Sequence, residues 1–449
     1  MAKQLDLTKG PILKTLAHLA LPIMASSFLA TAYNITDMAW IGMLGSKAVA
    51  GVGVGGMYVW LSQGLVSLAR MGGQVQVAQA CGRGERKEAG KYAASALQLT
   101  CVFGFLFALV CLVFTKPLIH FFQLNDAVTF SYANDYMKIT CGLIIFSYLN
   151  MTLTGLFTAQ GDSKTPFKAN LAGLVTNMLL DPVLILGIGP FPRMEVAGAA
   201  IATVSAQMLV MLVMVVSVIR SGEGVNVIRE ASLFSLASKE HYAGICRIGV
   251  PTALQGTLYC GISMVLTRMV SVFGPGAVAT QRVGGQIESI SWNTADGFAA
   301  ALNAFVGQNY GAGKNDRIRK GYQVSLKILV IWGILVTAVF VIFPRPIAGL
   351  FFYEKDVIEI AVDYLVVIGI GEAFMCVELM TIGALSGLGK TKLCSVISII
   401  LTGARIPLAM LLTRTGLGLN GIWWALSITS IVKGLVFHGV FQKIGRKLD

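Results

Sequence analysis

The chain is written in long apolar stretches broken by short runs of glycine, proline and basic residues. About twelve of these stretches reach roughly 20 residues, the length of a helix that crosses a bilayer. Their approximate limits are 17–43, 49–72, 92–115, 132–158, 167–188, 194–218, 246–273, 277–304, 322–343, 359–386, 393–414 and 419–441. The predicted fold class is an all-α polytopic membrane protein of about twelve transmembrane helices. The first stretch is longer than a span requires, which allows tilting, kinking or a start at the membrane surface. Residues 1–16 are polar and basic and read as a cytoplasmic surface helix leading into it.

The pattern occurs twice. Shifted by 229 positions, Pro22 falls on Pro251, Gly45 on Gly274, Ala48-Val49-Ala50 on Ala277-Val278-Ala279 and Val54-Gly55-Gly56 on Val283-Gly284-Gly285. Gln79, Gly82, Gly84 and Lys91 fall on Gln308, Gly311, Gly313 and Lys320. The register then slips by one, so Asp135-Tyr136 meets Asp363-Tyr364 and Gly161 meets Gly389. Each copy holds six spans, which keeps both in the same orientation. Two six-helix lobes related by a pseudo-two-fold axis along the membrane normal are expected, with a substrate path between them. The N-lobe is placed at 1–218, a cytoplasmic linker at 219–245 and the C-lobe at 246–449.

Composition agrees with the membrane reading. Apolar residues make up 55% of the chain and charged residues 13%, about half the usual globular share. The net charge of +13 is unevenly placed. Alternate connections and the two tails hold 22 basic residues, from Lys3, Lys9 and Lys14 to Lys443, Arg446 and Lys447, and the intervening connections hold six. This is a positive-inside distribution with both termini cytoplasmic. The basic balance is therefore topology, and no nucleic-acid partner is expected. No cleavable signal peptide is expected, because the first apolar segment is too long and lacks a small-residue cleavage site. The eight cysteines are scattered through apolar segments without a CxxC or Cys/His cluster. They read as small buried hydrophobes rather than disulfide or zinc ligands.

Two nucleotide-like patterns are set aside. Gly51, Gly53 and Gly56 spell G-x-G-x-x-G inside an apolar span with no preceding strand, where helix packing is the better reading. Gly389-Lys390-Thr391 ends like a phosphate loop, but the glycine required five residues earlier is Ala384. Prolines inside spans, Pro22, Pro251, Pro182 and Pro407, free carbonyls and favour kinks.

Charge inside the membrane costs several kcal/mol on insertion scales, so the intramembrane ionisable groups carry the candidate chemistry. They are Asp37, Asp181, Glu288, Asp296, Glu372, Glu378, Arg70, Arg268, Arg282 and Arg405. Asp37 follows Tyr33 and Asn34 on one helix face, and Asp181 follows Asn177 by one turn and precedes Pro182. A carboxylate, a carboxamide and freed carbonyls form a hard-oxygen site for a proton or a sodium ion. Low dielectric disfavours a charged carboxylate and a second acid nearby adds to that, which suits loading and release of a proton. In the second copy Asp37 maps to Leu266, and Asp181 to the neighbourhood of Pro407 and Ala409. Glu378 falls on Asn150 of the first copy, and is either a secondary cation or substrate site or a buried hydrogen-bonded carboxyl. Glu288 and Asp296, with Arg282 nearby, read as local charge pairing at least as readily as a transport site. Energy coupling is therefore expected in the first lobe.

These residues resemble the multidrug and toxic compound extrusion (MATE) family over almost the whole chain. The resemblance rests on LPIMASSFLATAYNITDMAWIGMLGSKAVAG in the first span, AQGDSKTP at 159–166, NMLLDP at 177–182, VAGAAIAT at 196–203 and VGQNYGAGK at 306–314. Asp37, Asn177, Asp181 and Thr203 match the N-lobe cation-site pattern of DinF-like prokaryotic members. In other branches a glutamate lies about eight residues after the seventh-helix proline, and here that position is Tyr259. The resemblance implies a transporter in a prokaryotic inner membrane, with no enzymatic activity and no cofactor beyond the coupling ion, H+ or Na+. It would export amphipathic, cationic drugs or toxic small molecules by antiport and alternating access, without an obligate protein partner. A lipid-linked precursor flippase of the wider superfamily is the alternative. A membrane-embedded enzyme would want a clustered His site, and the four histidines, His18, His120, His241 and His438, are scattered.

Overall fold

The computed structural model describes residues 6–122, 126–189, 191–222, 225–231 and 237–447. Lys3 and parts of the 219–245 connection lie outside these residues. In the first half of the chain α1 spans Ile12–Gly42, α2 Ser46–Arg83, α3 Arg86–Val113 and the short α4 Thr115–His120. They are followed by α5 at Ala127–Gly142, α6 at Ile145–Ala159, α7 at Lys164–Leu186 and α8 at Glu195–Arg220. The second half repeats the order. It has α9 at Lys239–Ser271, α10 at Pro275–Gly311, α11 at Asn315–Ile342 and the short α12 at Pro344–Gly349. It continues with α13 at Lys355–Gly387, α14 at Thr391–Gly403, α15 at Arg405–Leu412 and α16 at Leu419–Gly445.

Helices are the only regular elements among the described residues, as hydrocarbon requires of a backbone that must satisfy its own hydrogen bonds. Nine segments of described residues are long and apolar enough to cross a bilayer, and the pair α5–α6, bent by 45°, makes a tenth. Helices α9 and α10 are as long but more polar, interrupted by Gln255, Gln281, Glu288, Asn293 and Asp296. The predicted kinks are uneven: Pro182 is accommodated inside a continuous α7, whereas the eleventh span breaks at Ala404, ahead of Pro407.

Contacts divide the chain into two compact units, Met1–Asp6 with Ala25–Ala253, and Leu7–Met24 with Leu254–Asp449. The division runs within α1 and α9, whereas sequence alone puts it at the 219–245 connection. Of the expected surface helix at residues 1–16, residues 1–5 lie outside the described residues and residues 12–16 are the start of α1. Residues 7–10 are a turn in the second unit, and Leu7 is fully buried. The reason is a set of donors on and after α10. Asn309 Nδ2 and Arg317 Nε donate to the Leu7 carbonyl at 3.1 and 3.2 Å, Lys314 Nζ to Thr8 O at 2.8 Å, and Arg317 Nη2 to Lys9 O at 2.7 Å. The VGQNYGAGK segment is thus an anchor for the chain's own start. In the first unit Val227 N donates to Gln160 Oε1 at 2.9 Å and Arg86 Nη2 to Val225 O at 2.9 Å, which holds part of the inter-lobe connection on the bundle.

The duplication is visible in backbone geometry. Gly45 and Gly274 precede α2 and α10 with φ of 101° and 100° and the same ψ of 173°, a conformation that a Cβ would strain. Gly55 packs on Tyr136 of α5, and its counterpart Gly284 packs on Tyr364 of α13. In the G-x-G-x-x-G run Gly51 lies against α5, where a Cβ would come within 2.7 Å of Tyr132 Cβ, while Gly53 and Gly56 face open space. Helix packing therefore explains Gly51 and Gly55, not the whole motif.

Two outcomes test these constraints. A Cβ at Gly249 of α9 would overlap the Leu68 carbonyl of α2, so Gly249→Val should cost about 1–3 kcal/mol or more, while Gly53→Ala is tolerated. Thermal unfolding of the purified variants measures both. Asp126 caps α5 by accepting from Thr129 N at 2.9 Å and pairs with Lys47 at 2.9 Å. The Lys47 ammonium, with the Thr129 bonds, holds its carboxyl down at about 2. Its stabilisation is present above the ordinary carboxylate range and is lost as pH falls from roughly 4 toward 2. The melting difference between wild type and Asp126→Ala should shrink over that window.

Candidate functional site

The first unit gathers acids from two helices. Asp37 comes from α1 and Asp181 from α7, 7% and 0% exposed, and the two lie within electrostatic range of each other. Asn177, one turn before Asp181 on α7, donates from Nδ2 to Asp181 Oδ1 at 3.2 Å. Tyr33, one turn before Asp37, donates its hydroxyl to Thr203 Oγ1 of α8 at 2.9 Å. Tyr136 of α5 is buried and within electrostatic range of both acids. Three oxygens of this cluster, Asp37 Oδ1, Asp181 Oδ2 and Asn177 Oδ1, are buried without a hydrogen-bond partner. Buried polar atoms are nearly always satisfied, so three such acceptors in one cluster mark it as the candidate site.

The sequence-expected residues Tyr33, Asp37, Asn177, Asp181 and Thr203 thus fall in one place. Asn34 shares the helix with Asp37 but is exposed and stands outside the hydrogen-bonded set. Tyr136 is the member that sequence reasoning passed over. Its signal was the repeated Asp-Tyr pair that matches Tyr364 in the second copy.

The second unit holds a cavity of about 280 Å³ whose lining includes Tyr259, Glu288, Glu372, Glu378, Arg405 and Lys433. Lys433 Nζ of α16 donates to Glu378 Oε1 of α13 at 2.7 Å, and both side chains are buried. Of the two readings of Glu378 from sequence, the buried, bonded carboxyl describes this arrangement. Its counterpart Asn150 bonds the Gln207 carbonyl and side chain of α8 at 2.8 and 2.7 Å. The two copies therefore fill one framework position with a neutral bond in one case and an ion pair in the other. Lys433 was missed because its apolar neighbours in 419–441 mask a lone ammonium, although the position alone was a signal. Glu288 accepts from the Tyr364 hydroxyl at 3.4 Å and lies within electrostatic range of Arg405, so its environment is not the local pairing with Arg282 that sequence suggested. Arg268, Arg282 and Arg70 are no part of this cavity lining.

The family model described as MatE matches the chain twice, at residues 22–183 and 251–411. Its two matches reproduce the internal repeat. A protein of Thermotoga maritima named "Probable multidrug resistance protein NorM" is 29% identical over 426 residues, covering 92% of this chain and 88% of that protein. The "FAD transporter" of Shewanella oneidensis is 24% identical over 446 residues, covering 98% and 96%. A solved structure titled "Outward-facing conformation of a multidrug resistance MATE family transporter of the MOP superfamily" superposes with a TM-score of 0.91 at 21% identity, over 100% of this chain and 99% of the other. That likeness extends the two-lobe, twelve-helix fold to this chain. With two matches that together cover well over half of its residues, the chain belongs to the MATE family of membrane transporters.

Proposed function

We propose that the protein is a cation-coupled antiporter that uses an inward H+ or Na+ gradient to export amphipathic small molecules carrying positive charge. The observation that carries this reading is the buried Asp37–Asp181 cluster with its three unpartnered oxygens. Two neighbouring carboxylates out of water hold one cation far more comfortably than none. Loading and unloading that cation biases an equilibrium between states open to opposite sides, the alternating access expected of duplicated transporter folds. A charge that crosses the membrane field contributes about 2.3 kcal/mol per 100 mV, enough for one or two cations to sustain a steep outward gradient. The pattern Asp37, Asn177, Asp181 and Thr203 supports the DinF-like branch, and the basic connections support cytoplasmic termini in a prokaryotic cell membrane. Names of relatives support drug export, among them "Multidrug export protein MepA" of Staphylococcus aureus. The relative named an FAD transporter warns that the scaffold does not fix the cargo, which has to be read from cavity residues.

Reconstituted vesicles test the coupling. Export of a fluorescent cationic dye is expected under an imposed pH or sodium gradient, applied separately, and to stop when the gradient that drives it is collapsed. Asp37→Asn and Asp181→Asn should each lower gradient-driven export by roughly tenfold or more while leaving the protein folded. Wild-type export rates in Asp37→Asn would overturn the site assignment.

A further inference from the structure

The first unit carries a groove that the coupling cluster does not use. It has a volume of about 720 Å³ and runs along one face of α8. Leu209, Leu212, Val213, Val216, Ser217 and Arg220 line it at helical spacing and form a single stripe. Over its length of about 16 Å the stripe passes from hydrocarbon through a hydroxyl to a guanidinium. Another face of α8 is occupied, since Val210, Met214 and Val218 are buried in the core with Leu156 and Phe157. On the groove face Leu212 and Val216 stay 43% and 41% exposed. The other walls are Phe157 of α6, Thr165 in the first turn of α7, and Val225 and Asn226 of the inter-lobe connection.

Two guanidinium groups mark the polar end. Arg220 is exposed and forms no ion pair among the described residues. Arg229 Nη1 donates to the carbonyl of Ser221, which lines the groove next to Arg220. The described acids nearby are committed elsewhere. Asp162 accepts from Lys164 N, Thr165 N and Thr165 Oγ1 at 3.1, 3.0 and 2.6 Å, which spends its charge on the amino end of α7. Glu230 lies 3.7 Å from Arg86. Glu223 lies outside the described residues.

A small water-soluble anion would meet the guanidinium end and leave the apolar stripe uncovered. A cationic amphipath would cover the stripe and set its head against Arg220. A molecule with hydrocarbon at one end and negative charge at the other answers both ends. In a bilayer that profile belongs to an anionic phospholipid, and basic recesses between helices at the membrane surface are suited to such head groups. A volume of about 720 Å³ suits one head with part of a chain.

We propose that this groove binds one anionic phospholipid, with an acyl chain along the α8 stripe and the phosphate at Arg220, supported by Arg229. A lipid seated there joins the end of α8 to the start of α7 and to the inter-lobe connection. The proposal goes beyond the export reading and takes from it only that the basic connections share one membrane face.

Native mass spectrometry of the purified full-length protein tests it. Dioleoylphosphatidylglycerol and dioleoylphosphatidylcholine, which share their chains and differ in head charge, are supplied together at equal concentration in mixed micelles. Wild type should retain the glycerol lipid about fivefold over the choline lipid, the preference that one basic residue at a lipid surface supplies. Arg220→Gln should bring the ratio close to one, and Arg220→Lys should keep most of it. Lys392→Gln, which removes an exposed basic residue of α14 that does not line the groove, should leave the ratio unchanged. Val216→Trp fills the groove without changing its charge and should lower retention of the glycerol lipid severalfold. Thermal unfolding gives a second readout, because a ligand of the native state raises the melting temperature. The glycerol lipid should raise it more in wild type than in Arg220→Gln. A wild-type ratio near one, equal losses in Arg220→Gln and Lys392→Gln, or undiminished retention in Val216→Trp overturns the site.

Discussion

Hydrocarbon gives a carboxylate no hydration, so every acid inside these helices persists only through what lies beside it. The protein solves that problem in different ways at related positions. Glu378 is matched by an ammonium, and Glu288 leans on a tyrosine hydroxyl. Asp181 is given one amide donor and lies within electrostatic range of Asp37, and an oxygen of each is without a partner among the described residues. A completed pair is structural and costly to break from one side. An incomplete one is the arrangement from which the proposed coupling is argued. The buried acids of this molecule thus differ in how fully each is compensated.

Much of the architecture could be read before any coordinates, because lipid imposes it. Span length, the alternation of basic connections and the 229-residue repeat all express constraints local to the chain. The grouping of Tyr33 with Asp37 and of Asn177 with Asp181 was legible because helical spacing puts each pair on one face. The meeting of α1 with α8 through Thr203 was reached only through resemblance, since no periodicity relates residues 170 positions apart.

What stayed hidden was cross-helix and specific. Lys433 and Glu378 are 55 residues apart, and hydropathy averages conceal one ammonium among apolar neighbours. The burial of Leu7 depends on donors about 300 residues away. The second copy looked passive because it lacks the paired aspartates, yet it collects its ionisable groups from α10, α13, α15 and α16, where no single stretch of sequence displays them together.

The placement of residues 7–24 in one unit and 25–253 in the other bears on how the protein is made. Synthesis runs from the amino terminus, and domains ordinarily close in that order. Here the first unit is complete only once Ala253, at the start of the second copy, has been translated. The opening turn at Leu7 finds its permanent partners only after Arg317 has appeared. The amino-terminal part of α1 therefore groups with residues translated long after it, and a product ending before Arg317 would lack the donor that holds the Leu7 carbonyl.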